Sequence, residues 1–261
     1  MVFLERRPAV RSGWADIIAP GRLADDRLHV RVGQLNSGET WEFTASQTGL
    51  SWLHVLEGHL RGTDHDITPD HVAMIARGRS IILTSEGDST VLVAEVPRAA
   101  EYDPHLGSGL VVNDWTREPV LVSEHDARER IYLATPGLWG TNAVKGEMIT
   151  YPPGARGASH HHQGAEHFQY IVSGRGAADT PAGRLDLRSG DLVYNFENEV
   201  HSFENDYDEP MTFVEFFVPG ESTTVWAPGE HACTWQPTGH DIRGRTPQRH
   251  IARHVHGEGE V

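Results

Sequence analysis

The chain of 261 residues has a single cysteine, Cys233, so an internal disulfide cannot form and a reducing, cytoplasmic location is expected. It also lacks any apolar run approaching the ~18–20 residues that a membrane-spanning helix needs. The opening residues, MVFLERRPAV, lack the apolar stretch and small-residue cleavage site of a signal peptide, and we expect none. These absences favour a cytoplasmic protein that does not span a membrane.

Positive charge is scarce as well. Lys and Arg number 22 against 37 Asp and Glu, which gives a net charge of −15 at pH 7 with histidine neutral. This balance argues against nucleic acid or an anionic membrane as the main partner. Histidine is abundant, with 17 residues, so a histidine cluster could arise by chance and its spacing has to carry any functional argument.

Helical periodicity is nearly absent, and short runs rich in β-branched and aromatic residues take its place. Glycine, proline, asparagine and aspartate separate these runs at close intervals. This pattern is typical of antiparallel strands in a sandwich or barrel, so we predict an all-β fold. The clearest runs are WLHVLEG, SIILT, TVLVAEV, EMITY, FQYIVSG, DLVYNF, VHSFEN and MTFVEFFV.

The two halves of the sequence resemble each other. Residues 38–62 align with residues 154–178 without a gap, and residues 70–97 align with residues 191–219 with a slightly longer hairpin in the second copy. A repeat of this length indicates a duplicated β-domain. The predicted limits are 1–28 for an N-terminal arm, 29–105 for a first barrel, 118–219 for a second barrel and 220–261 for a C-terminal arm.

The second half contains the segment GASHHHQGAEHFQYIVSGRG, in which His160, His161, His162 and His167 lie close together. The spacing around them is Gly154, five residues, His160-X-His162, four residues, His167, six residues and Gly174. Further along the chain stand Gly190, His201 and Asn205. Taken alone, such a cluster could be a solvated polar patch.

Together these spacings resemble the two motifs of the cupin superfamily, G(X)5HXH(X)3–4E(X)6G and G(X)5PXG(X)2H(X)3N. Phe196 and Asn198 stand where the second motif has proline and glycine. The resemblance covers both halves and implies a bicupin, with two tandem jelly-roll (double-stranded β-helix) barrels and a metal site in the C-terminal one. It further implies a small-molecule substrate. We also expect a homodimer, because proteins that combine a barrel without metal ligands with long terminal arms commonly dimerise.

The sequence departs from the first motif where the family usually has glutamate. Counting back from Gly174 selects His167 for that position, whereas the shorter spacing from His162 selects Glu166. Neighbouring strand residues point to opposite faces, so we do not expect both to bind one metal. We favour His167, because strand register is harder to shift than a loop, and Glu166 stays open as the alternative.

Strand alternation places His160 and His162 on one face and His161 on the other. With the resemblance, this implies one divalent metal held by His160, His162, His167 and His201. Imidazole suits iron, zinc and nickel, and carboxylate suits manganese, so we expect Fe(II), with Zn, Mn or Ni as alternatives. Glu166 and Gln169 are candidate catalytic residues that could move a proton, although an exposed carboxylate without a role is an equally simple interpretation of Glu166.

The first barrel lacks this ligand set. The aligned positions carry Thr44, Ser46, Ser51 and Ser80, and hydroxyl groups are poor ligands for soft or borderline metal ions. We therefore expect no metal ligands in the first barrel. We also expect four later histidines to lie on the surface and to form no second metal site, with binding of the segment RHIARHVH to an opposite barrel as the alternative; they are His240, His250, His254 and His256.

The resemblance implies an enzyme, most simply an Fe(II)/O2 dioxygenase acting on a small chelating keto, hydroxy or carboxylate compound. The alternative is non-redox chemistry, in which Zn, Mn or Ni acts as a Lewis acid in isomerisation, cyclisation, lyase or hydrolase reactions. A non-catalytic binding protein is a third interpretation. Signatures of other chemistries are absent, since the sequence has no G-x-S-x-G, P-loop or G-x-G-x-x-G motif after a strand.

Overall fold

In the computed structural model the described residues are 3–7, 12–256 and 261, and most of their regular structure is β-strand. The strands are β1 (Phe3–Arg6), β2 (Gly13–Ile18), β3 (His29–Leu35), β4 (Thr40–Thr44), β5 (Leu50–Glu57), β6 (Leu60–Gly62), β7 (Asp66–Ile67), β8 (His71–Ala76), β9 (Ser80–Ser85), β10 (Ser89–Val96), β11 (Gly109–Asp114), β12 (Leu121–Ser123), β13 (Glu129–Ala134), β14 (Lys145–Tyr151), β15 (His160–Gln163), β16 (Glu166–Ser173), β17 (Arg175–Thr180), β18 (Gly183–Arg188), β19 (Asp191–Asn195), β20 (Ser202–Glu204), β21 (Met211–Val218), β22 (Thr223–Trp226), β23 (Thr234–Pro237) and β24 (His254–Val255). Short helices are α1 (Ala99–Tyr102), α2 (Pro136–Trp139) and a 3-10 turn at Trp115–Arg117.

The chain divides into two units, which we call the first and second barrel. The first barrel comprises Arg7–Trp115 and Gly137–Ala143. Its larger sheet has the strand order β11-β8-β5-β10-β3-β2 and its smaller sheet the order β4-β9-β6-β7. Apolar side chains of both sheets, such as Leu53 and Val91 from the larger and Phe43 from the smaller, form one buried core. This arrangement is that of a β-sandwich closed around its interior.

The second barrel comprises Met1–Arg6, Thr116–Pro136 and Val144–Val261. Its largest sheet has the order β1-β19-β16-β21-β14-β13-β12-β23-β24, and two further sheets have the orders β18-β17-β20 and β15-β22. Segments from both ends of the sequence thus add strands to this barrel. The predicted all-β class is confirmed, and the predicted limits of arms and barrels stay a proposal.

The repeat seen in the sequence extends to the strand boundaries. Three pairs of strands begin and end 116 residues apart: β2 and β13 begin at 13 and 129, β3 and β14 at 29 and 145, and β5 and β16 at 50 and 166. The two barrels are therefore built from equivalent strands, and residues 116 apart on these strands occupy equivalent places. This equivalence permits a position-by-position comparison of what each interior contains.

The four hydroxyl positions of the first barrel do not form a polar centre. Thr44 and Ser80 are exposed, and their hydroxyl oxygens lie 2.6 Å apart. The Ser46 hydroxyl donates to the carbonyl of Pro97 at 3.1 Å, and Ser51 is buried. Within the described residues, the only group of three or more potential metal ligands lies in the second barrel.

Half-buried aromatic rings pack against the core of the first barrel instead. The Trp14 and Trp41 rings are 4.5 Å apart, and Trp41 lies 5.2 Å from Phe43. The guanidinium of Arg31 lies 4.8 Å from the Trp14 ring. Gly33 is required there, because a Cβ at this position would lie 2.6 Å from the Trp14 indole. Trp14 and Arg31 are the 116-residue equivalents of Arg130 and Glu147 in the second barrel.

One glycine of the motif in the second barrel is required at its position for steric reasons. Gly174 follows β16 with φ +78°, in the left-handed region that glycine adopts without cost. A Cβ there would lie 2.0 Å from the carbonyl oxygen of Pro210. The glycine therefore fixes the end of β16, and with it the register of the strand that begins at Glu166.

Neither α1 nor α2 exceeds four residues. Within the described ranges, no helix has the length and apolar character needed to cross a membrane.

Candidate metal centre

Three of the sequence-predicted ligands converge in the second barrel. His160 and His162 lie two residues apart on β15, and an isolated antiparallel bridge joins His160 to His201. Both backbone hydrogen bonds of that bridge form, at 3.0 and 2.8 Å. The ligand atoms of the three histidines all lie within 4.8 Å of one another. The bridge therefore brings residues 41 positions apart in sequence to one point (201 − 160).

His167, near the start of β16, lies against the same group. Its Nε2 is 3.3 Å from Nε2 of His201, and its ring centroid is 4.8 Å from that of His162. It stacks at 4.8 Å on Phe217, the residue opposite it on β21. The side chain is fully buried. The structure thus brings all four predicted ligand residues together.

Hydrogen bonds to the backbone fix the orientation of two of these rings. Nδ1 of His160 lies 2.8 Å from the carbonyl oxygen of Ala158, and Nδ1 of His201 lies 2.9 Å from that of Glu199. A carbonyl only accepts, so Nδ1 carries the hydrogen in both rings and Nε2 retains its lone pair. This is the tautomer of a histidine that binds a metal through Nε2.

His162 has a similar orientation. Its Nδ1 lies 3.3 Å from the hydroxyl of Thr224, on the neighbouring strand β22. Its Nε2 is buried and has no hydrogen-bond partner in the described part of the chain. A buried polar atom without a partner is costly, and a metal ion would satisfy it.

Burial keeps these rings uncharged. It lowers the pKa of His160, His162 and His167 well below 6.5, and the neighbouring imidazoles lower each pKa further. Burial also lowers the pKa of His201 to about 4. Neutral imidazole is the form that coordinates metal ions.

The spacing of two ring nitrogens matches that of neighbouring ligands on a single divalent ion. Metal–nitrogen bonds of about 2.1 Å place neighbouring ligand nitrogens about 3.0–3.4 Å apart at tetrahedral or octahedral angles. The measured separation between Nε2 of His167 and Nε2 of His201 is 3.3 Å. The residues that could hold the ion are His160, His162, His167 and His201.

The other predicted residues lie around this group. His161 is half-buried on the opposite face of β15. Glu166 is partly exposed and accepts a hydrogen bond of 2.5 Å from the Tyr194 hydroxyl. Of the two alternatives for the motif glutamate, His167 is the one whose ring lies beside His201.

Replacing these two neighbours separately is expected to give opposite results. His167→Gln should weaken metal binding at least about tenfold, because it removes an imidazole from the cluster, whereas Glu166→Gln should change it less than about threefold. Titration of the metal-free variants with Zn2+ or Co2+ in a calorimeter measures both affinities. A large loss with Glu166→Gln and none with His167→Gln would mean that the shorter motif spacing applies.

Gln169 lies deeper in the barrel, and both ends of its amide are engaged. Its nitrogen donates to Glu215, and its oxygen accepts from Asn195 at 2.8 Å. Glu215 in turn lies 3.4 Å from Nε2 of His167. Gln169 therefore holds a buried carboxyl group beside the histidine cluster.

Several polar groups outside the motifs face the same cavity, namely Glu215, Arg128, Arg130 and His256. A signal was present, since Arg128 and Arg130 stand two residues apart at the start of β13 and Glu215 interrupts the apolar strand β21. Charges in such strands are seldom buried without a partner or a role. Apolar and aromatic groups complete the wall; they are Ile149, Tyr151, Phe203, Phe213 and Trp226.

The two arginines are buried in different ways. Arg128 binds both carboxylate oxygens of Asp126, at 2.7 and 2.8 Å, and donates to the Tyr151 hydroxyl at 3.0 Å. Arg130 forms an ion pair of 3.2 Å with Glu147, but its Nε has no hydrogen-bond partner among the described residues. Arg130 thus retains a donor inside the barrel.

The carboxyl groups near Arg130 are close to one another. Burial raises the pKa of Glu215 well above its usual range, and the charge of Glu147 raises it further. Arg130 lowers it, but less than these two effects raise it.

The expectation that the later histidines lie on the surface is wrong for His254 and His256. Nδ1 of His254 donates to the carbonyl of Ala252 at 3.1 Å, so its Nε2 accepts from the Tyr132 hydroxyl at 2.7 Å, and Nδ1 of His256 lies 2.5 Å from Nη1 of Arg130. Both rings are buried, because β24 pairs with β23 at the edge of the largest sheet. His240 and His250 are exposed as expected.

Residues 147–217 match the family model described as Cupin domain. The chain is 30% identical over 94 residues to oxalate decarboxylase OxdC of Bacillus subtilis (strain 168). That match spans 34% of this chain but only 24% of the length of the curated relative.

Solved structures of the Bacillus subtilis oxalate decarboxylase resemble the chain over a longer range. A mutant of that enzyme superposes with a TM-score of 0.67 at 16% identity, covering 87% of this chain and 79% of the other. A structure from work on its Mn(II) centres gives a TM-score of 0.64 at 15% identity, with the same coverage. At such identities the likeness establishes a common fold.

Proposed function

We propose that the chain is a two-barrel member of the cupin superfamily and that its second barrel is the active site of a metal-dependent enzyme acting on a small carboxylate compound. The observation that carries the proposal is the convergence of four imidazoles, three of them buried and that of His160 half-buried, beside the buried guanidinium of Arg130. The first barrel has a structural role in this proposal, because half-buried aromatic side chains pack against its core and its aligned positions carry no histidine.

The proposed ligands are His160, His162, His167 and His201. Four neutral nitrogen donors favour iron(II), with zinc or nickel as alternatives, over manganese, which prefers oxygen ligands. Bound iron(II) would supply redox chemistry with O2 and Lewis acidity toward the oxygens of a chelating substrate. We therefore keep an Fe(II)/O2 dioxygenase as the specific proposal.

Charge supports an anionic substrate. Neutral imidazoles leave the charge of a divalent ion uncompensated, and Arg128 and Arg130 each already have one acidic partner. A carboxylate would balance the ion, and Nε of Arg130 is the buried donor that could bind it. Phe203, Phe213 and Trp226 would exclude water around it.

The remaining polar residues have supporting roles in the proposal. Gln169 holds Glu215 in place next to His167, and Glu215 could hold or deliver a proton inside the barrel. Glu166 stays a candidate acid or base at the edge of the site, where it accepts a hydrogen bond from the Tyr194 hydroxyl.

A second candidate is a non-redox lyase, and the similarity to oxalate decarboxylase over 94 residues favours it. In a decarboxylation, the carbon–carbon bond breaks, CO2 leaves, and the carbon that retains the electron pair takes up a proton. Glu215 is the buried carboxyl group placed to provide it.

Metal analysis and gas exchange separate these candidates. We expect protein purified without added metal to contain iron and to consume O2 with a member of a panel of small 2-oxo, 2-hydroxy and dicarboxylic acids. CO2 release without O2 consumption would contradict the dioxygenase proposal and support the lyase. A protein that binds no metal even after reconstitution would contradict both, and the His162→Ala variant is the control for metal bound elsewhere.

A further inference from the structure

The segment around β24 enters the second barrel next to the histidine cluster. Val255 pairs with Thr234, and His254 with Trp235, on β23. The backbone nitrogen of His256 donates to the carbonyl of Cys233 at 2.9 Å. Backbone hydrogen bonds thus fix the position from which the His256 side chain projects.

The His256 ring lines the same cavity as the proposed ligands. Its centroid lies 5.7 Å from that of His162, 6.2 Å from that of His160 and 6.4 Å from that of Trp226. The residue is only 5% exposed. The nearby His254 differs, since its ring is hydrogen-bonded to the Tyr132 hydroxyl and does not line the cavity.

The contact with Arg130 determines which nitrogen of His256 carries hydrogen. A guanidinium has only donors, so Nη1 of Arg130 donates and Nδ1 of His256 accepts, at 2.5 Å. The hydrogen of the neutral ring is then on Nε2. In this tautomer neither nitrogen has a lone pair free for a metal ion, and the ring offers an N–H donor instead.

The same contact restrains Arg130. Its Nη2 pairs with Glu147, its Nη1 donates to His256 at 2.5 Å and to the Tyr132 hydroxyl at 3.3 Å, and its guanidinium stacks at 4.1 Å on Trp235. Only Nε remains without a hydrogen-bond partner in the described part of the chain. His256, Tyr132 and Glu147 together therefore determine the orientation of the guanidinium and the position of its remaining N–H.

We propose that His256 is a substrate-positioning residue, which holds the Arg130 guanidinium in its binding orientation and donates its own Nε2 hydrogen to the substrate carboxylate. This inference rests on the proposed function, since it assigns a residue from outside the cupin motifs to the same site. It makes the segment around β24 a part of the active site.

Acetate binding to the Co2+-loaded protein tests the proposal without turnover. The visible absorption of Co2+ reports both metal binding and the arrival of acetate at the ion. The variants are His256→Phe, which keeps an aromatic ring but no nitrogen, and His256→Gln, whose amide can both accept from Arg130 and donate. His256→Ala replaces the phenylalanine variant if that one does not fold, and the exposed His250→Ala is the matched control.

We expect every variant to bind Co2+ as the wild type does. His256→Phe should weaken acetate binding at least about tenfold, as loss of a hydrogen bond to a charged group does, and His256→Gln should restore it to within about threefold. Unchanged acetate affinity in His256→Phe would overturn the proposal, and so would loss of Co2+ from that variant, which would make His256 a ligand. A wild-type protein that binds no Co2+ would overturn the proposed function itself, and this inference with it.

Discussion

Replacing His162 with alanine is expected to abolish metal binding, whereas replacing His161 with alanine is expected to leave it nearly unchanged. His162 is 2% exposed, and its unpartnered Nε2 lies in the cluster of four imidazoles. Removing a ligand should cost more than the roughly 10–100-fold that loss of a supporting residue costs. His161 lies on the other face of the same strand and is paired in backbone register with Val225.

The measurement is the metal content of both variants after reconstitution and dialysis, with the affinity for Zn2+ determined by calorimetry. The two variants differ by one position on one strand, so each is the control of the other. Equal losses would mean that the side chains of β15 do not alternate as the structure places them.

Acidification is expected to destabilise the metal-free protein strongly below pH 6.5. Burial lowers the pKa of His54 in the first barrel and of His201 in the second from 6.5 to about 4. Burial shifts the pKa of His160, His162 and His167 in the same direction. Between pH 6.5 and about 4 the unfolded chain takes up protons that the folded chain does not, so stability falls with falling pH.

Once a histidine is protonated in the unfolded chain but still neutral in the folded chain, a pKa difference of this size lowers the free energy of unfolding by about 3 kcal/mol per histidine. Urea unfolding midpoints between about pH 7.5 and 4.5 measure the effect. The His54→Phe variant should lose less stability on acidification than the wild type, and His250→Phe, at an exposed position, should lose as much. A midpoint that stays constant across this range would contradict the burial of neutral histidines.

The fold could be predicted from sequence because its evidence is periodic. Alternating β-branched residues gave the all-β class, and the gapless repeat gave two equivalent halves; the all-β class and the two-barrel cupin fold are confirmed. The ligand residues were predicted from motif spacing, and the structure brings His160, His162, His167 and His201 together. Their role as ligands stays a prediction, as does the homodimer.

The rest of the cavity could not be predicted because no local pattern encodes it. His256 reaches Arg130 across 126 residues of sequence, through a strand pairing of only two residues. Short polar segments of this kind are typical of surface loops, so the expected exposure of His254 and His256 was wrong. Glu215 was missed for a related reason, since its partner Gln169 lies on another strand.

The packing of Trp14 against Trp41 has an evolutionary consequence. Where the second barrel carries Arg130 and Glu147, its duplicate carries Trp14 and Arg31, and the positions of its histidines carry small hydroxyl residues. Introducing histidines at Thr44 and Ser80 would leave two indoles and a guanidinium inside, with Gly33 already in contact with one of them. A metal site in that half would therefore require several coordinated substitutions in packed surroundings, which single mutations do not supply.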